Sequence, residues 1–117
     1  MRVRLLASAP EPPHEHQFLT SFLIDDRLAI DAGCVGFCGE PDDQSEIDHV
    51  FLTHSHADHI CSLPMLLMNG HEGRDDGVVV HGHDHVLECL RTDVFNDRVW
   101  PDFVSLSEDG PSLLYLD

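Results

Sequence analysis

The sequence predicts an α/β domain in which strands and helices alternate along the chain. Apolar runs bounded by turn residues are typical of strands, and they occur at residues 3–6, 22–24, 28–30, 49–53 and 78–80. Segments with apolar residues at helical spacing lie at 60–68 and 84–95. With 117 residues and 42% apolar content, the chain is long enough for one domain with a modest core.

The N-terminal part is predicted to consist mainly of strands. Residues 3–6, "VRLL", form a first strand, and residues 11–17, "EPPHEHQ", form a loop. The runs at 22–24 and 28–30 are separated by two aspartates and one arginine, which is a hairpin pattern. Three glycines and a proline then break the chain into a second loop.

The remaining elements alternate more regularly. Residues 42–48, "DDQSEID", predict a short acidic helix, and "HVFLT" at 49–53 predicts a buried strand. A helix over 60–68 is interrupted early by Pro64, and "VVV" at 78–80 is a further strand. The helix predicted over 84–95 has Asp84 as its N-cap.

The charge of the chain disfavours several classes of partner. Six arginines and no lysine stand against 22 acidic residues, which gives a net charge of −16. Because nucleic acids and anionic membranes are bound through basic patches, we expect neither a membrane nor a nucleic-acid polymer as partner. A small anionic substrate is the expected partner, and a homodimer is left open.

The sequence also bears on location. The apolar run "LLASA" in the N-terminal segment is too short for a secretory signal, and no stretch reaches membrane-spanning length. We therefore expect a cytoplasmic protein whose four cysteines are reduced. The spacing of Cys34 and Cys38 is unlike that of the usual metal or redox pair, so free thiols are expected.

The segment "THSHADH", residues 53–59, holds four residues that can bind metals. Because side chains alternate along a strand, His54 and His56 can point the same way and offer two imidazoles to one cation. Asp58 and His59 follow where the chain turns into a helix, so they can face a second cation at the short separation of two-metal hydrolytic sites. The residue types favour zinc, with manganese or iron as alternatives. The competing interpretation is a solvated histidine-rich loop that only titrates near neutral pH.

The quoted segments carry a resemblance to a known family. "HVFLTHSHADH", preceded by "SFLIDDRLAIDAG", resembles the N-terminal half of the metallo-beta-lactamase superfamily, whose hallmark is a His-x-His-x-Asp-His loop after a buried strand. The resemblance spans residues 20–64 and implies one half of a four-layer αββα sandwich. It assigns His54 and His56 to a first metal ion and Asp58 and His59 to a second.

The same resemblance gives a role to Asp31 in "IDAG". Asp31 occupies the position of the family's supporting aspartate, which hydrogen-bonds near the metal loop and is not itself a ligand. The alternative is that Asp31 only closes a turn.

Within the superfamily, "HSHADHICSLPMLL" and "LRTDVFNDRVWPDF" resemble the class II cyclic-nucleotide phosphodiesterases and their bacterial relatives. The chain departs from that pattern at Ala57, where leucine is usual, and at three positions of the following helix. The resemblance implies a hydrolase with two divalent metal ions that acts on a small phosphodiester such as a 3′,5′-cyclic nucleotide, with Asp58 as the catalytic residue.

Three alternatives stay open. One is a tRNA 3′-processing-type ribonuclease, which shares the "LP" and "LL" after the motif but usually has an electropositive surface. Another is a thioester or lactam hydrolase of the same fold. The last is an inactive metal-binding half-domain, because the superfamily supplies a third histidine, a bridging aspartate and a final histidine from the second half of the domain. We therefore expect residues 1–117 to be a single domain that is truncated at its C-terminal end.

The remaining histidines and aromatic residues are assigned to structural or solvated positions. The cluster "HGHDH" at 81–85 repeats the two-residue spacing of the motif, but a structural or solvated role is favoured there. The aromatic side chains of the later part are expected to pack around a loop and not to stack on a base; they are Phe95, Trp100 and Phe103. The other histidines are expected in loops or on the surface: His14, His16, His49 and His71.

Overall fold

The structure, a computed structural model, describes residues 1–9 and 16–117 and contains one six-stranded mixed sheet. The strands lie side by side in chain order: β1 (Val3–Leu5), β2 (Phe22–Ile24), β3 (Leu28–Ile30), β4 (His49–Leu52), β5 (Val78–Gly82) and β6 (Leu114–Leu116). The first three pair antiparallel, and β3 to β6 pair parallel. Parallel neighbours need crossover connections, and these contain the helices.

The helices are short and lie in the second two thirds of the chain. They are α1 (Pro41–Ser45), α2 (Ala57–Ile60), α3 (Leu63–Gly70), α4 (Asp84–Cys89) and α5 (Phe103–Asp109). Short 3-10 turns cover Val35–Phe37 and His71–Gly73, and a π-helical turn, Leu90–Val94, directly follows α4.

One face of the sheet packs against the helices and forms the core. Along β4, Val50 and Leu52 are buried while His49 and Phe51 are exposed, as strand geometry requires when one face is covered. The helices contribute apolar side chains to the same cluster, among them Leu63, Leu66, Leu67, Val86, Leu90 and Phe103.

The opposite face of the sheet, called the open face below, remains accessible. The strand register places two rows of side chains on it: Val3, Ile24, Leu28, His49, Val79 and Tyr115, and Leu5, Phe22, Ile30, Phe51 and His81. Phe51 is 41% exposed, and no second sheet covers it among residues 1–9 and 16–117. The expected half-sandwich, with one sheet and one helical layer, is therefore the observed architecture.

The structure corrects several predicted boundaries. The predicted helix over 60–68 is two helices, α2 and α3, separated near Cys61. The N-cap of α4 is His83, so the prediction that Asp84 caps this helix was wrong by one residue. The sequence reading did not predict α5 or β6. The loop predicted at 11–17 falls largely on residues 10–15, outside the described residues.

Two further expectations concern the whole chain. In the described parts of the chain, no helix is both long and apolar enough to cross a membrane. All four cysteines are free, as expected, and Cys34 is buried.

Candidate active site

The histidine-rich segment forms a compact loop between β4 and α2. The His54 and His56 rings lie 4.7 Å apart between centroids, and the His54 and His59 rings lie 4.0 Å apart. Asp58, the second residue of α2, places a carboxylate oxygen 3.4 Å from Nε2 of His59. The structure thus brings all four sequence-predicted residues into one cluster at the carboxyl end of β4.

Asp31 is buried behind this cluster and holds it through hydrogen bonds. Its carboxylate is 2% exposed and accepts hydrogen bonds from the backbone N–H of Thr53 at 2.8 Å, from the Thr53 hydroxyl and from Nδ1 of His59 at 2.7 Å. Asp31 has a left-handed backbone, with φ of 59°, a conformation that Asp tolerates better than most residues. The residue therefore supports the loop through hydrogen bonds, as the resemblance implies, and does more than close a turn.

These hydrogen bonds select the tautomers of two histidines. Because a carboxylate only accepts, Nδ1 of His59 carries a proton, so in the neutral imidazole Nε2 is the atom that keeps the lone pair. The Thr53 hydroxyl gives its one hydrogen to Asp31, so it accepts from Nδ1 of His54, 3.0 Å away. In their neutral forms His54 and His59 therefore both keep the lone pair on Nε2, and this is the tautomer that binds a metal ion through Nε2.

Backbone hydrogen bonds fix the loop from the other side. The N–H of Ala32 donates to the carbonyl of His59 at 2.6 Å, and that of Thr20 donates to the carbonyl of Asp58 at 2.9 Å. Gly33 lies so close that a Cβ there would collide with the Asp58 carbonyl oxygen. A glycine is required at this position because the two backbones approach each other within van der Waals contact.

The donor set fits divalent cations, although the donor atoms do not converge. Three imidazoles and a carboxylate, with a second carboxylate hydrogen-bonded behind them, are the chemistry of a zinc-type centre. Within residues 1–9 and 16–117, no three His, Cys, Asp or Glu side chains are placed so that they could hold a metal ion. Binding of a metal ion would require rotation of these side chains.

The nearby thiols do not add to the donor set. Burial raises the pKa of Cys61 and of Cys89, so both stay protonated near neutral pH. The Cys61 thiol donates to the carbonyl of Gly33 at 3.1 Å. Both cysteines therefore act as neutral structural groups.

The second histidine cluster has the structural role that was expected. His81 lies on the open face, stacks on Phe51 with ring centroids 4.2 Å apart and hydrogen-bonds Asp117 and His49. His83 and His85 are exposed. His16, His49 and His71 are also exposed, as expected, with His49 on the open face of β4, and His14 falls outside the described residues.

The histidine-rich loop lies in a part of the chain that matches a known protein family. A family model described as "cAMP phosphodiesterases class-II" matches residues 42–110, which is more than half of the chain. The chain belongs to this family. The match begins in α1 and includes the whole histidine-rich loop and its flanking helices, so it covers all four predicted metal ligands.

A solved structure confirms the fold of this family member. The crystal structure of unliganded yeast PDE1 aligns with a TM-score of 0.69 at 15% identity. The alignment covers 98% of this chain and 49% of that chain. The predicted fold class, the N-terminal half of a metallo-beta-lactamase-type sandwich, is thereby confirmed. No curated protein matches the sequence.

Sequence reasoning missed one residue at the site. Thr53 hydrogen-bonds both Asp31 and His54, and its place between the strand and the motif was the one available signal. Trp100 is half-buried and packs against the core, as expected. Phe95 and Phe103 do pack in the core, with ring centroids 5.3 Å apart.

Proposed function

We propose that this family member is a metal-dependent phosphodiesterase that hydrolyses a small phosphodiester such as a 3′,5′-cyclic nucleotide. The observation that carries the proposal is the pair of hydrogen bonds by which Thr53 and Asp31 hold Nδ1 of His54 and of His59, within a loop matched by the class-II family. The reaction adds water across one P–O ester bond and leaves a phosphomonoester.

The roles of the motif residues follow from their donor chemistry. His54 and His56 would hold a first divalent ion, and Asp58 and His59 would hold a second, with zinc preferred and manganese or iron as alternatives. When bound, such ions supply Lewis acidity that favours ionisation of water and neutralises phosphate charge. Asp31 holds His59 in the required tautomer and orientation without being a ligand.

Asp58 is the catalytic residue of the proposal. Its exposed carboxylate lies beside Nε2 of His59, so it can accept a proton from water and orient the oxygen toward phosphorus. Because the backbone carbonyl of Asp58 is held by Thr20, the carboxylate projects from a fixed point. This arrangement orients the nucleophile.

The charge of the chain supports a small substrate over a polymer. A net charge of −16 repels a polyanionic backbone, whereas one phosphate group needs only local neutralisation at the motif. This favours a cyclic nucleotide over the tRNA-type substrate. A cytoplasmic location and a homodimer stay predictions.

A hydrolysis assay on the 117-residue chain tests the proposal. The chain is supplied with Zn²⁺ or Mn²⁺ and given 3′,5′-cyclic AMP, 3′,5′-cyclic GMP, a thioester and a β-lactam in parallel. We expect cyclic-nucleotide hydrolysis that falls at least about 100-fold in Asp58→Asn and is unchanged in His71→Ala, an exposed histidine outside the motif. Preferential thioester or lactam hydrolysis, or metal uptake without any turnover, would overturn the proposal.

A further inference from the structure

Cys34 and Cys38 lie at the two ends of the 3-10 turn Val35–Phe37, and the proposed hydrolysis uses neither of them. The N–H of Phe37 donates to the carbonyl of Cys34 at 2.9 Å. The N–H of Cys38 donates to the carbonyl of Val35 at 3.4 Å. Because a 3-10 helix rises only about 2.0 Å per residue, a single turn keeps the residues at its two ends close together. The turn therefore makes neighbours of the two cysteines.

The side chains of the two cysteines reach the same stretch of backbone. The Cys34 thiol donates to the carbonyl of Leu6 at 3.6 Å. The Cys38 thiol donates to the carbonyl of Ala7, the next residue along the chain, also at 3.6 Å. Both cysteines line one cavity of about 500 Å³, and both thiols are free. The fold thus places two reduced sulfur atoms against one segment of chain that leaves β1.

The two thiols differ in how far a reagent can reach them. Cys34 is 1% exposed, whereas Cys38 is half-buried. A small molecule that enters from solvent therefore meets the Cys38 sulfur first. Cys34 is placed to react with what has already formed on Cys38, and not with the incoming molecule.

The charge states of the two thiols differ in the same sense. The neighbouring Cys34 thiol and, after it, the Arg4 guanidinium lower the pKa of Cys38 to about 7 against the opposing effect of burial. The contact with Cys38 and burial raise the pKa of Cys34. At neutral pH Cys38 is therefore partly a thiolate while Cys34 keeps its proton. A thiolate is the nucleophilic form of cysteine, and a pKa near the ambient pH is the best compromise between thiolate fraction and nucleophilicity.

We propose that Cys34 and Cys38 are a peroxide-reactive thiol pair, in which Cys38 attacks a small hydroperoxide and Cys34 then closes a disulfide. The Cys38 sulfur bonds to one peroxide oxygen, the O–O bond breaks, and the other oxygen takes a proton and leaves as water or an alcohol. Cys38 is thereby oxidised to a sulfenic acid and the peroxide is reduced. The Cys34 sulfur then loses its proton, bonds to the Cys38 sulfur and displaces the hydroxyl group as water. No metal ion or nucleotide takes part, so this proposal is independent of the proposed hydrolysis.

Size and charge favour a hydroperoxide over a larger oxidant. With a net charge of −16, the chain repels anionic disulfides, whereas a peroxide is small and neutral enough to reach a half-buried sulfur. The disulfide would close a loop that runs only from Cys34 to Cys38. Closing so short a loop removes little entropy from the unfolded chain, so the disulfide stabilises the fold little and stays easy to reduce.

A peptide map of the unchanged chain tests the proposal. The reduced chain is treated with hydrogen peroxide in the presence of a chelator, blocked with iodoacetamide and cut with trypsin and Glu-C. The peptide of residues 28–40 then contains Cys34 and Cys38 and no other cysteine. We expect this peptide to be lighter by two hydrogen atoms and unalkylated, and to become alkylated after dithiothreitol treatment. A peptide with both cysteines alkylated after peroxide, or equal oxidation of all four cysteines, would overturn the proposal.

Cysteine variants separate the two roles. In Cys34→Ser the Cys38 sulfenic acid has no thiol to condense with, so dimedone should capture it on Cys38. In Cys38→Ser the buried Cys34 should stay reduced under the same treatment. Cys89→Ser is the matched control and should form the disulfide as the unchanged chain does. Dimedone capture at Cys89 and not at Cys38 would contradict the assignment. The peptide map needs no variant, so it decides the matter if Cys34→Ser fails to fold.

Two arginines provide a check on the attacking thiolate. Arg2 and Arg4 both pair with Asp26, but Arg4 is the one that lines a cavity with Cys38. Arg4→Gln should slow disulfide formation about twofold to fivefold, because less of Cys38 is then thiolate. Arg2→Gln loses a similar ion pair and should react at the unchanged rate. An unchanged rate in Arg4→Gln would contradict attack by a Cys38 thiolate.

Discussion

At the scale of single residues, the buried Asp31 carboxylate orients two histidines: it contacts His59 directly and His54 through Thr53. Asp31 would be costly to bury without partners, and it is accommodated because Thr53 and His59 donate to it. The sequence left two roles open for Asp31, and the structure decides for the supporting role. Thr53 could not be predicted, because a threonine at a strand end is ordinary and its partners lie far away in sequence.

The Thr53 hydroxyl gives a first prediction. Thr53→Val keeps the shape of the side chain but removes the group that accepts from His54, so His54 is free to adopt the wrong tautomer. We expect zinc affinity to fall about 10-fold to 100-fold, measured by competition with a chromogenic chelator. Thr53→Ser keeps the hydroxyl and should bind zinc as the unchanged chain does. Equal losses in both variants would show that the hydroxyl has no such role.

Gly33 gives a second prediction. A methyl group there collides with the Asp58 carbonyl, so Gly33→Ala should lower the free energy of unfolding by about 1–3 kcal/mol in urea denaturation. Gly110→Ala is the control, because its Cβ would meet only the Leu106 carbonyl at an ordinary 3.5 Å. The account of the loop contact is wrong if the two variants unfold at the same urea concentration.

At the scale of helices and strands, an element could be predicted when its apolar run was long enough and clearly separated from polar residues. The β2–β3 hairpin was predicted because its two apolar runs flank an acidic turn, and it pairs in that register. In contrast, β6 has three residues, and α5 carries polar and apolar residues in nearly equal number, so neither pattern stood out. The π-helical turn over Leu90–Val94 was not predicted, because the periodicity of residues 84–95 is that of a continuous α-helix.

The N-cap of α5 gives an element-scale prediction. Asp102 accepts from the backbone N–H of Ser105 at 3.0 Å and from its hydroxyl at 2.7 Å, and these bonds lower the pKa of the Asp102 carboxyl. Asp102→Ala should cost about 1 kcal/mol of unfolding free energy at pH 7. A carboxyl with a lowered folded-state pKa stabilises above its ordinary pKa of about 3.9, and this contribution is lost as the pH falls further.

Urea denaturation at pH 7 and pH 3 measures this difference. The difference in unfolding free energy between the unchanged chain and Asp102→Ala should be smaller at pH 3 than at pH 7. Asp109→Ala, at the other end of α5, is the control and should show no loss at either pH. If this difference in unfolding free energy is the same at both pH values, the Asp102 carboxylate does not cap the helix.

At the scale of the whole molecule, the main feature is the exposed apolar surface of the open face. The strand register gathers apolar side chains from β1 to β6 on one accessible surface, and Phe51 and Phe22 are 41% and 37% exposed there. Contiguous apolar surface of this kind is unusual for a protein that remains a monomer. The face follows from the half-sandwich architecture, because no second sheet covers it among the described residues.

Dye binding tests the open face. A hydrophobic fluorescent dye such as ANS should bind the folded chain, and the double variant Phe22→Ser and Phe51→Ser should lower its fluorescence. Phe37→Ser removes an aromatic ring that is 57% exposed but lies outside the open face, and it should have little effect. An equal decrease in both cases would indicate that the dye does not distinguish this face.

The central claim is that His54, His56, Asp58 and His59 form a metal centre, and metal content per chain tests it most directly. Elemental analysis after purification without chelator should give close to two zinc ions per chain for the unchanged protein. His56→Ala and Asp58→Ala should each lose metal, while His71→Ala keeps it. A metal-free unchanged chain, or the same content in all three variants, would contradict the claim.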